Sequence, residues 1–258
     1  MLSLLHRYAF RGTRPPDAPS LLEFAGETRF DGVVAATAWA RDEIASRLPA
    51  ELEPAPPASG ATMHPVLFVF GEQREPALLR GGVALPFGRP FGELGVIVPY
   101  VRAVGGRRLL AYVWRMCSTY FPAVWEGNTR YFAKTIGVMA REPERFSMTS
   151  PDGRALLRAV VGDAGPWGAT RDHATGVAAV RDALALPVVG RTAAGHLVAA
   201  PAAWDFGSAR VRPVAVRLVV DGSFIDETVP RELDVPPAGA LAVEGVTWRL
   251  GWPGSLRD

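Results

Sequence analysis

The sequence predicts a mostly β (α+β) protein, an antiparallel β-barrel or sandwich with a few short helices. Three observations predict it. Roughly ten short runs rich in valine, isoleucine and aromatic residues recur along the chain, bounded by Gly, Pro or Asp-Gly. Only about two or three stretches carry helical spacing, all of them short. The chain has 258 residues, 48% hydrophobic and 21% charged, enough to bury a core and too apolar for a disordered chain. Residues 1–258 read as one domain, with 1–32 as an irregular, proline-broken lead-in.

Val33 to Ala38 is the first strand in this reading. Asp42 to Leu48 is a short helix that starts near Arg41 and stops before Pro49. Glu53 to Gly60 is a Pro/Ala loop, and Val66-Leu67-Phe68-Val69-Phe70 a buried strand. Residues 71–92 read as irregular. A strand then runs from Glu93 to Arg102, Gly105-Gly106 turns the chain, and Leu109 to Met116 pairs back. Phe121 to Gly127 is a helical piece leading towards Lys134. Residues 145–161 form a hairpin about Pro151-Asp152-Gly153. Val177, Val180 and Leu184 place a helix over 174–185. His196 to Ala199, Ser208 to Val211 and Val214 to Val220 are strands. Asp221-Gly222 turns into a strand over Phe224 to Val229, and 240–252 is a last hairpin about Gly245.

Charge and motifs exclude several function classes. With 28 basic and 26 acidic residues the net charge is +2, so no electrostatic footprint for nucleic acid is present. No run of about 18 apolar residues exists to span a membrane. Met1 to Leu5 is too short for a signal-peptide core, so a cytoplasmic protein is expected. The single cysteine, Cys117, permits no internal disulfide and reads as a buried thiol. No strand-linked GxGxxG, phosphate loop, HExxH or GxSxG occurs. His6, His64, His173 and His196 are scattered, and only the fold would bring three of them to a metal; none is expected there.

The composition contains 27 arginines and one lysine, Lys134. GC-rich coding explains the arginines. It does not explain the one lysine. Arginine stays protonated in proteins, whereas lysine can surrender its proton and act as an amine nucleophile. A free lysine amine is almost wholly protonated at neutral pH, so nucleophilic use requires desolvation or a cationic neighbour. Phe132 and Ile136 supply the first in sequence and Arg130 the second. The opposing reading packs the lysine stem on Phe132 and lets its ammonium reach water.

Three stretches resemble the acetoacetate decarboxylase-like superfamily. Val34 to Pro54 is similar to the family's strand, short helix and Leu-Pro-x-x-Leu-Glu-Pro entry. Gly92 to Pro99 resembles the strand of the family's active-site glutamate, with Glu93 on that position. Pro122 to Gly127 through Lys134 to Gly137 resembles the Gly-Arg-Glu … Pro-Lys-Lys-Leu segment, with Lys134 on the Schiff-base lysine. Pro213 to Pro230 is similar to the last strand pair, so the likeness touches most of 33–230. The chain departs from the pattern at Ala133, Thr135 and Gly127-Asn128-Thr129, and the second pocket glutamate finds no counterpart past the Pro57–Met63 loop.

The resemblance implies a Schiff-base lyase acting on a small oxo acid, by decarboxylation of a 3-oxo acid. Aldolase or dehydratase chemistry on a 2-oxo acid uses the same imine. Lys134 is the implied nucleophile and Glu93 the proton carrier. Arg29, within one residue of the family's carboxylate-binding arginine, is the implied substrate grip. Arg130, Tyr131 and Phe132 are the candidate pocket wall. No cofactor is implied, because the lysine supplies the electrophile, and homo-oligomers are. A non-catalytic barrel holding a small apolar ligand, and a degenerate member with an accessory role, are the readings from other classes. The surroundings of Lys134 discriminate among them.

Overall fold

The structure, a computed structural model, describes residues 24–57, 60–81 and 83–256. The strands are β1 (Phe24–Ala40), β2 (Leu52–Pro54), β3 (Met63–Arg80), β4 (Val83–Pro86), β5 (Phe91–Ala103), β6 (Leu110–Ser118), β7 (Thr135–Ile136), β8 (Val138–Glu142) and β9 (Arg145–Thr149). They continue with β10 (Ala155–Ala164), β11 (Gly168–Ala169), β12 (Val188–Arg191), β13 (Leu197–Ala200), β14 (Ala202–Asp205), β15 (Arg210–Val220), β16 (Arg231–Val235), β17 (Ala240–Gly251) and β18 (Gly254–Ser255). The helices are α1 (Arg41–Arg47), α2 (Phe121–Arg130) and α3 (Ala174–Leu184).

The central sheet is an antiparallel run, β17–β1–β3–β5–β6. A second sheet runs β8–β9–β10–β15–β16. Strand β15 belongs to both: Arg210 to Pro213 pair with β17, and Val216 to Val220 pair with β10 and β16. Pro213 sits at the change of partner, where a residue without an N–H costs the ladder least. Of the expected barrel or sandwich, the sheet among the described residues does not take the closed-barrel form. Short strands β7 and β12 join β6 in parallel, making the sheet mixed. The run then passes through β13 to β18, which meets no further strand among the described residues.

Side chains of β1 and β3 alternate between two cores, as the pleat requires. Val33, Ala35, Phe68 and Phe70 face the second sheet, with Leu157, Val216 and Leu218. Phe30, Val34, Leu67 and Val69 face α3, meeting Val177, Val180 and Leu184. Burial on both faces explains why Val66 to Phe70 is continuously apolar. Glycine is required where β1 and β3 approach: Gly32 pairs with Gly71. A Cβ on Gly32 would lie 2.3 Å from the Phe70 carbonyl oxygen, and one on Gly71 2.3 Å from that of Asp31.

Several elements differ from the sequence reading. β1 begins at Phe24, inside the expected lead-in, because it pairs on both edges; residues 1–23, with His6, lie outside the described residues. The stretch 71–92 is largely strand, since β3 continues to Arg80 and folds back as β4. The expected tail hairpin is the single strand β17. Gly245, at φ 74°, makes a bulge rather than a turn, and its N–H donates to Asp31 Oδ1 at 2.7 Å. The two strands expected over Ser208 to Val211 and Val214 to Val220 are one, Arg210 to Val220, running through Pro213. Phe224 and Ile225 lie in a 3₁₀ turn, and the strand that pairs back is β16. Helix α1 and the hairpin about Asp152-Gly153 fall where expected, as does α3.

Candidate active site

Lys134 lies in the link between α2 and β7, and this link is pinned. Its backbone N–H donates to Asn128 Oδ1 at 2.8 Å, and Asn128 Nδ2 donates to the Lys134 carbonyl at 3.0 Å. One amide thus holds both polar groups of the lysine backbone. The Ala133 N–H donates to the Arg191 carbonyl at 2.8 Å, and the N–H groups of Tyr131 and Phe132 both donate to Gly127 O, at 2.9 and 3.0 Å. Gly127 is small for a reason: a Cβ there would meet Lys134 Cδ at 2.8 Å.

The lysine side chain points inward. Nζ donates to Glu93 Oε1 at 2.7 Å, with side-chain exposures of 8% and 7%. The ammonium also lies 5.4 Å from the Phe132 ring centroid. Glu93 is presented by β5, whose alternation sends Glu93, Gly95 and Ile97 to one face. On the neighbouring strand the same alternation sends Val69 and Gln73 there, and Gln73 Nε2 donates to Glu93 Oε2 at 2.9 Å. Both carboxylate oxygens are therefore engaged.

Two adjoining cavities meet at Glu93, Phe132 and Trp248. The outer one, about 100 Å³, contains Lys134 and is walled by Phe91, Tyr120, Tyr131 and Leu250, with Glu27 and Glu126 on its lining. Phe91 and Tyr120 stack at 5.5 Å between centroids. The inner one, about 30 Å³, is apolar apart from Gln73 and Glu93. Burial pushes the Tyr131 hydroxyl above its ordinary range, so that it serves as a neutral wall.

Of the residues singled out from sequence, the structure brings Lys134, Glu93, Tyr131 and Phe132 together. It does not bring Arg29 or Arg130. Arg29 points away from the cavity that its neighbour Thr28 lines, and pairs with Glu75 at 3.3 Å with 60% of its side chain exposed. Arg130 is exposed at the end of α2. Among the described residues no arginine lines either cavity, so the expected carboxylate grip is not delivered. Sequence reasoning missed Gln73 and Asn128. Gln73 carries a signal: it is the polar member of the Val69, Gly71, Gln73 face once the strand is continued past Phe70. Asn128 is betrayed by nothing local.

Cys117 is buried, and burial raises its thiol. His64 is buried with Nε2 2.8 Å from Pro99 O. No cluster of three metal-ligating side chains occurs among the described residues. No helix among them is long and apolar enough to cross a membrane.

No protein-family model matches the sequence, and no curated protein matches it. Solved structures do. Acetoacetate decarboxylase from Legionella pneumophila is similar over 98% of this chain and 94% of its own, at 12% identity and TM-score 0.59. An acetoacetate decarboxylase-like enzyme from Sphingomonas wittichii RW1 is similar over 97% and 99%, at 14% identity and TM-score 0.58. The enduracididine biosynthesis enzyme MppR, complexed with pyruvate, is similar over 97% and 94%, at 15% identity and TM-score 0.56. The chain has the acetoacetate decarboxylase-like fold.

Proposed function

We propose that the chain is an enzyme that forms an imine between Lys134 and the carbonyl of a small oxo acid. The observation that carries this reading is the enclosed Lys134–Glu93 pair, 2.7 Å apart at the junction of two cavities. A lysine that merely solubilises a surface has no cause to be so buried, and Glu93 stands where it can take the ammonium proton. The shared fold with a pyruvate-bound protein supports an oxo acid as the substrate class.

Passage of the ammonium proton to Glu93 leaves a neutral amine. Its lone pair attacks the carbonyl carbon, and the carbonyl oxygen, taking one proton from the amine and one from Glu93, departs as water. The resulting iminium is an electron sink. With a 3-oxo acid the bond to the carboxylate breaks, its electron pair enters the iminium, and CO₂ leaves an enamine. Glu93, reprotonated from solvent, then delivers a proton to the enamine carbon, and water releases the ketone from Lys134.

A second reading uses the same enamine against an aldehyde, and the aromatic outer cavity favours it by offering a place for a second reactant beside the amine. Carbon dioxide release from acetoacetate and acetopyruvate, and condensation of pyruvate with aromatic aldehydes, test the two. The reading expects turnover with at least one set and its loss in Lys134→Arg. Turnover that survives Lys134→Arg would overturn the lysine's role.

A further inference from the structure

Gln73 is 3% exposed and lies on the inner cavity. Its amide orientation is fixed by chemistry. Glu93, whose other oxygen accepts a hydrogen bond from the Lys134 ammonium, is an acceptor at both oxygens in this pair, so the Gln73 NH₂ faces it, as the 2.9 Å Nε2–Oε2 contact shows. The amide oxygen is therefore turned away from the pair. It is buried, and no group of the described residues bonds to it. An acceptor left so in apolar surroundings is costly unless a donor arrives. Val69, Ile97, Val113 and Met116 line the cavity beside it and carry no donor, and neither indole on the lining, Trp204 or Trp248, bonds to it.

We infer that Gln73 is a specificity-determining residue whose Oε1 accepts a hydrogen bond from a hydroxyl on the carbon next to the reacting carbonyl. The preferred substrates are then hydroxylated oxo acids over their deoxy analogues. The inference rests on the imine reading and deepens it. The geometry gives it reach: Glu93 touches Lys134 with one oxygen and Gln73 with the other, so a carbonyl carbon joined to Nζ lies a short arm from the inner cavity. That cavity, about 30 Å³, has room for a group of one or two heavy atoms. Donor discrimination of this kind is strong because the loser leaves a buried polar group unpaired.

The test compares 3-hydroxypyruvate with 2-oxobutanoate, which differ by a hydroxyl against a methyl. Borohydride capture on Lys134 is followed by intact mass and peptide mapping, and each rate is normalised to capture by Nα-acetyllysine in solution. Wild type is expected to favour hydroxypyruvate roughly tenfold or more. In Gln73→Met the ratio falls to about one while 2-oxobutanoate is still captured. The ratio is the deciding readout, because loss of the Gln73–Glu93 hydrogen bond slows both acids alike. A wild-type ratio near one, the outcome if a water satisfies Oε1, overturns the inference, and so does a ratio unchanged in Gln73→Met. Where Gln73→Met fails to fold, Gln73→Leu replaces it, and the wild-type ratio already decides. Failure of both acids to label Lys134 would instead overturn the imine reading itself.

Discussion

Separating Glu93 from Lys134 leaves a charge in a place built for two. Glu93→Gln keeps the shape of the side chain and removes its charge. At 2.7 Å the gross attraction is about 6 kcal/mol for an effective dielectric near 20. Lost solvation of two nearly buried groups offsets part of this, and breaking such a pair from one side costs about 3–5 kcal/mol. Lys134→Met removes the other partner and should cost a similar amount. The double variant has no stranded charge, so its loss is smaller than the sum of the two, by about 3 kcal/mol. Urea unfolding of the four proteins at neutral pH, read by circular dichroism with a common slope, measures this coupling. A coupling below about 0.5 kcal/mol, the range of exposed surface pairs, would refute the buried-pair description.

Other consequences are open to measurement. Burial lowers His64 from 6.5 to about 4, opposed by the hydrogen bond it donates to the Pro99 carbonyl. The folded value lies below the unfolded one, so stability is full above pH 6.5 and falls as pH drops towards 4. The loss reaches about 3 kcal/mol, and denaturation curves of His64→Gln should lack it; an equal slope in that variant would contradict the assignment. Asn128→Ala removes both bonds to the Lys134 backbone and should cost about 1–3 kcal/mol, with Asn128→Asp recovering part through its remaining acceptor. Gly127→Ala separates fold from chemistry: alanine favours the helix by about 0.5–1 kcal/mol, yet its Cβ displaces the lysine stem. Melting temperature should hold or rise while capture of oxo acids on Lys134 falls; capture at the wild-type rate would show that the stem moves aside freely.

What the sequence discloses depends on how local the cause is. Helix α1 ends before Pro49, and Asp152-Gly153 turns its hairpin, because each signal acts on its immediate neighbours. Lys134 and Glu93 were legible through composition and family likeness, although 41 residues apart. The limits of β1 and β3 were not. Their ends are set by partners far along the chain, so polar stretches such as Glu72 to Arg74 stay extended within a ladder. Gly245 reads as a turn from its sequence and becomes a bulge because Asp31, 214 residues away, satisfies its N–H. The same non-locality hid Gln73, whose role exists only once β3 and β5 share a face. It also misplaced Arg29, since one step along a pleated strand exchanges the cavity for solvent.

The measurement that tests the central claim most directly is borohydride capture on the intact protein with acetoacetate, pyruvate and acetopyruvate. Lys134 is the single lysine, so its only rival is the N-terminal amine, and peptide mapping separates the two. A substrate-dependent adduct on Lys134, absent in Lys134→Arg and slowed in Glu93→Gln, is the predicted result. A folded protein that gives no adduct with any of the three acids would contradict imine chemistry and leave the two cavities as a site for ligand binding alone.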